Sequence, residues 1–131
     1  MIDPQHPFAS WFLWCGAMGM LLLYGVPLVF FPRRWVGWFG WKLPAETNLV
    51  VYLARCLGAL VLAIVYVCLR AAPAPASTPL LFPLIIAALG LIFVVHAWGA
   101  LRRTQPWLET AELGLYALLL ALAFYAARTL K

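Results

Sequence analysis

Polar and apolar positions alternate in blocks rather than in a helical or strand period. Four apolar stretches, Phe8–Phe31, Asn48–Leu69, Leu80–Leu101 and Trp107–Ala127, take up most of the chain. About 20 mostly apolar residues in a helix cross the hydrocarbon core of a bilayer. The pattern therefore predicts an all-α integral membrane protein: an antiparallel four-helix bundle with an interfacial Trp-rich segment between spans one and two. Fewer than 45 of the 131 residues remain for connections and ends. The expectation is a single membrane domain over residues 1–131.

Proline and glycine punctuate the blocks. Pro7 suits the first turn of span one, Pro27 interrupts its end and Pro32 stops it. Gly16 and Gly19 are small enough to admit another backbone. In span two, Arg55, Gly58, Ala59 and Leu62 share one helical face at 100° per residue, so Arg55 is expected to face protein rather than lipid. Thr47 or Asn48 is a candidate N-cap for this span. In span four, Ala111, Gly114, Ala117 and Ala121 make a small-residue stripe. Glu109, Glu112, Tyr116 and Ala123 lie on roughly the other side. Gly58, Ala59, Gly114, Ala117 and Ala121 are the expected helix-packing positions.

Composition supports the membrane reading. The chain is 66% hydrophobic and 10% charged, whereas soluble domains carry about 25% charged residues. The net charge of +5 forms no face, because the cations flank spans; nucleic-acid binding is not expected. Arg33, Arg34 and Lys42, interleaved with Trp35, Trp38 and Trp41, are expected to anchor a short helix in the headgroup layer. Placing the cations of the first and third connections (Arg33, Arg34, Lys42, Arg102 and Arg103) on the cytoplasmic side leaves Arg70, Arg128 and Lys131 outside. Both termini are then non-cytoplasmic, and the expected location is a bacterial inner membrane. Cys15, Cys56 and Cys68 lie inside apolar stretches without metal-ligand or disulfide spacing, and read as small hydrophobes. The N-terminus carries an acid and no basic n-region, so no cleaved signal is expected.

Chemistry is confined to a few intramembrane positions. Arg55 lies seven residues past Asn48, His96 six before Arg102, and Glu112 six past Pro106, each roughly 10 Å deep at 1.5 Å per residue. Ionisable residues at that depth face the bundle interior and find partners. Arg55 with Glu112 is the expected first pair, with His96 or Glu109 completing a structural or ligand-binding cluster. His96, Glu109 and Glu112 make a metal set only if folding brings them together, so neither a metal nor a catalytic residue is assigned. No cofactor is assigned either; a bound lipid or quinone is the alternative.

Tyr52-Leu53-Ala54-Arg55-Cys56-Leu57-Gly58-Ala59, opening the second span, together with the length and four-span layout, resembles small bacterial four-helix membrane proteins of the DoxX-like kind. That resemblance covers the chain in outline and implies a small partner subunit more readily than an enzyme. The expected function is a non-catalytic accessory or assembly subunit packing against a larger membrane complex, or against a second copy of itself. The alternative is a lipid-, quinone- or small-ligand-binding or transport protein using Arg55, His96, Glu109 and Glu112.

Overall fold

The computed structural model describes residues 2–131, which are helical throughout their ordered elements and include no strand. Four helical stretches are long and apolar enough to cross a membrane: Pro7–Phe30, Asn48–Ala71, Leu81–Arg102 and Trp107–Arg128. Each matches an expected span to within two residues at either end. Their outward faces stay apolar. None of the most apolar stretch of Leu81–Arg102 is buried within the chain, and Leu80, Leu91, Val95, Leu101 and Trp107 are all more than 60% exposed. Apolar surface on that scale is consistent with an integral membrane protein.

The first span is built from three pieces: α1 (Pro7–Met20), a π-helical turn (Leu21–Gly25) and α2 (Val26–Phe30). Pro27 explains the interruption. A regular helix would send the N–H of residue 27 to the Leu23 carbonyl, and proline has no N–H to send. The helix widens instead, so the Val26 N–H reaches back five residues to the Leu21 carbonyl. The orphaned Leu23 carbonyl accepts the Trp35 indole N–H at 2.7 Å. Trp35 belongs to α3 (Pro32–Trp38), the short helix expected in the Trp-rich segment, and its ring packs on Tyr24 and Phe39.

This arrangement predicts that Trp35→Phe costs about 1 kcal/mol, the net worth of one hydrogen bond at an exposed site. Adding Pro27→Ala supplies a main-chain N–H and recovers part of the loss. Thermal denaturation in detergent, followed by circular dichroism, checks both values; equal stabilities of the single and double variants would refute the pairing.

Two helices end in the same way. After α3, Gly40 adopts φ 79°, with its N–H on the Gly37 carbonyl and the Trp41 N–H on Val36. After α5 (Leu81–Arg102), Arg103 takes the equivalent position at φ 53°, ψ 36°, with its N–H on Ala100 and the Thr104 N–H on Gly99. Both are Schellman endings, which favour glycine because a Cβ is crowded there. Arg103→Gly should therefore stabilise the protein by about 1 kcal/mol, read as a raised melting temperature.

By packing, the chain divides into two compact units, residues 13–70 and the remainder. In the first, α4 (Asn48–Ala71) buries Ala54, Gly58, Val61, Val65 and Cys68, a four-three alternation that keeps one seam along the helix. Gly58 is where that seam closes on α2. A Cβ there would lie 2.9 Å from the Leu28 Cβ and 3.0 Å from the Val29 main-chain nitrogen. Gly25 is similarly covered by the Leu62 side chain. Ala59 is exposed and takes no part in the seam, and Gly16 and Gly19 have open space around them. At the start of α4, Thr47 accepts the Val51 N–H on its carbonyl, while its hydroxyl accepts from Arg33.

In the second unit, α5 packs on α6 (Trp107–Arg128). Residues before α1 tie in through Ser10, which is fully buried. Its hydroxyl donates to the Ala72 carbonyl at 2.6 Å and accepts the Asp3 N–H. Asp3 also pairs with His6. The Gln5 N–H on the Asp3 carboxylate, aided by His6, holds that carboxyl below its ordinary range.

Candidate metal centre

The short turn between α5 and α6 brings His96, Glu109 and Glu112 to one point. His96 sits two turns before the end of α5. Glu109 and Glu112 occupy the first two turns of α6 and are i, i+3 neighbours, so both carboxylates lie on the face toward α5. The His96 Nε2 is 3.0 Å from the Glu109 Oε2 and 3.6 Å from the Glu112 Oε2. All three side chains are largely enclosed, 12–13% exposed.

The imidazole's orientation is set by its other nitrogen. Nδ1 lies 2.9 Å from the Ile92 carbonyl one turn earlier. A carbonyl only accepts, so Nδ1 carries the hydrogen. In the neutral ring, Nε2 then presents a lone pair to two carboxylate oxygens. Three acceptors facing one another at this range need positive charge between them, either a proton or a cation. Tyr116, one turn beyond Glu112, supports the arrangement from two sides. Its hydroxyl donates to the Glu112 Oε2 at 3.1 Å, and its ring lies 4.8 Å from the imidazole, centroid to centroid.

Gln105 fastens the turn beneath the site. Its amide Nε2 donates to the His96 carbonyl at 3.1 Å and to the Thr110 hydroxyl at 3.2 Å. The side chain lies over Gly99, where a Cβ would come within 2.8 Å of the Gln105 Cδ. A side chain at Gly99 would therefore push the glutamine from this position. Gln105 carries no sequence signal of this role, since a glutamine in a polar turn is ordinary.

One imidazole nitrogen and one oxygen from each carboxylate, all within 4.8 Å of one another, form a donor set for a divalent first-row metal. Bonds of about 2.1 Å to a tetrahedral ion put two ligand atoms roughly 3.4 Å apart, between the two distances observed. The supporting shell also has the required form: a metal-binding histidine donates its second N–H to a carbonyl or carboxylate, and ligating carboxylates are themselves hydrogen-bonded. Ile92 and Tyr116 supply these. With a neutral His96, two ionised carboxylates bring a charge of −2 against the ion's +2, so the loaded site is neutral, as a low-dielectric surrounding demands.

Within residues 13–70 the Arg55 Nε donates to the Val29 carbonyl at 3.3 Å, while in the other unit Glu109 and Glu112 lie beside His96. The Trp-rich anchors also divide. Trp38, Trp41, Arg34 and Lys42 are exposed, whereas Trp35 is half-buried and bonded to Leu23. Gly114, Ala117 and Ala121 are all exposed, with nothing within 4 Å of where a Gly114 Cβ would sit. Comparison of the chain with protein-family models, curated proteins and solved structures finds no match.

Proposed function

We propose that this chain is a small integral membrane protein that binds one divalent first-row metal ion at His96, Glu109 and Glu112. The observation that carries the reading is the orientation of His96. Its Nδ1–H is committed to Ile92, so Nε2 is the nitrogen aimed at the two carboxylate oxygens. Nitrogen plus carboxylate donors suit Zn2+, Fe2+ or Mn2+. Three protein ligands leave at least one coordination position for water or a small ligand. In this reading the four long helices span the bilayer in antiparallel order, with both termini on the non-cytoplasmic face of a bacterial inner membrane.

The test is equilibrium dialysis of detergent-purified protein against Zn2+. The reading expects one ion per chain in the wild type and none in a Glu109→Gln/Glu112→Gln variant. Undiminished binding by the variant would overturn it.

A second reading concerns the outer face of α6, where Ala111, Gly114, Ala117 and Ala121 are exposed together. Gly25 and Gly58 are consumed by packing within the chain, but Gly114 is not. That spare face supports a role as an accessory subunit of a larger membrane complex, the role a DoxX-like protein would suggest. Here Gly114→Leu should not lower the melting temperature of the isolated chain, yet should abolish co-purification of a stoichiometric partner. Retained co-purification would remove α6 from the interface.

A further inference from the structure

Three arginines that the metal centre does not use come together in the unit formed by residues 13–70. Arg33, Arg34 and Arg55 line one open pocket of about 420 Å³, with Phe30, Phe31 and Val51 forming its apolar walls. Their charges are uncompensated: the ion pairs among the described residues include none of the three. Arg55 is held in place by its Nε, which donates to Val29 in the last turn of α2. That carbonyl is available because α2 ends at Phe30 and the next helix opens with Pro32. Arg33 is held by one Nη on the Thr47 hydroxyl at 2.7 Å. A guanidinium has five N–H donors, so both retain most of theirs for a ligand, and Arg34 adds a third cation.

We infer that Arg33, Arg34 and Arg55 form a binding site for the phosphate of an anionic phospholipid. The inference rests on the chain spanning a membrane, but not on the metal centre. Planar guanidinium forks match phosphate oxygens in pairs. The site's position selects a lipid over a free anion. Arg55 lies seven residues into an apolar helix, roughly 10 Å along it, and the phenylalanine and valine walls suit acyl chain rather than water. A phosphate drawn down from the headgroup layer also relieves the cost of an arginine at that depth, which otherwise must find a protein partner or reach back to the interface.

The experiment reconstitutes the protein in phosphatidylcholine discs with and without phosphatidylglycerol. Bound phosphatidylglycerol is counted by native mass spectrometry after release. The wild type should retain phosphatidylglycerol preferentially and at a fixed stoichiometry, and excess inorganic phosphate should not displace it. The Arg33→Gln/Arg34→Gln/Arg55→Gln variant should lose that preference by roughly 100-fold, at about a factor of five for each basic residue near an anionic surface. Arg70→Gln, at the far end of α4, should lose none. If the triple variant fails to fold, the exposed Arg34→Gln alone should weaken retention about fivefold.

An equal loss in Arg70→Gln would show a diffuse basic surface and overturn the site. Undiminished retention in the arginine variants would overturn it as well. Displacement by inorganic phosphate would overturn the lipid assignment in favour of a free-phosphate site.

Discussion

A Glu109→Gln/Glu112→Gln protein gains nothing from Zn2+, whereas the wild type is stabilised by about 2.7 kcal/mol at a free metal concentration about 100 times Kd. Glutamine keeps the size and much of the hydrogen bonding of glutamate, so Tyr116 retains an acceptor and α6 its packing. What it loses is charge. A site with one imidazole and two neutral amides has no anion to balance a divalent ion, and amide oxygens are poor ligands for Zn2+. His96→Ala should also abolish the metal-dependent shift, but it additionally leaves two carboxylates beside each other without their imidazole and so lowers the metal-free stability. Tyr116→Phe removes only the hydroxyl on Glu112 and should weaken affinity about 10- to 100-fold without abolishing it. This graded order separates ligands from the residue that positions one of them. Thermal denaturation across a zinc series measures all four proteins in one format. Equal zinc shifts in wild type and double variant would rule out carboxylate ligation.

The second large effect concerns packing. Gly58→Ala should destabilise the protein by about 1–3 kcal/mol, and Gly58→Leu by more, because the new Cβ meets the main-chain nitrogen of Val29 at 3.0 Å. Side chains can turn aside, but a backbone atom inside a helix moves only with its helix. Alanine's better helix propensity, worth about 1 kcal/mol over glycine, offsets part of the cost. Gly114→Ala provides the matched comparison. It is the same chemical change in a helix of similar length, with nothing within 4 Å of the added carbon, so only the propensity gain remains. Reversible unfolding in mixed detergent gives both values. Equal effects at the two glycines would show that α2 and α4 do not approach as closely as Gly58 implies.

The spans were legible because hydrophobic length needs no knowledge of partners. Residues 48–69 and 107–127 differ from the observed helices only at their last turn. Pro27 announced a disturbance, but its form depended on Trp35, eight residues on and beyond a helix break, supplying an N–H to Leu23. The metal centre was legible in part. His96, Glu109 and Glu112 were grouped by depth, and α5 and α6 are joined by so short a turn that depth nearly determines proximity. Ala59 shows the limit of a face drawn at 100° per residue. It shares a broad face with Gly58, but a four-three seam runs through Ala54, Gly58 and Val61 and leaves Ala59 outside. Gln105 and Ile92 act through a side-chain amide and a carbonyl whose positions only the folded turn defines.

The most direct test of the metal assignment is X-ray absorption at the zinc edge of the zinc-loaded protein. The account predicts a first shell of nitrogen and oxygen only, at about 2.0–2.2 Å, with outer-shell scattering from a single imidazole that disappears in His96→Ala. A first shell of water oxygens with no imidazole, or a spectrum identical in the variant, would contradict it.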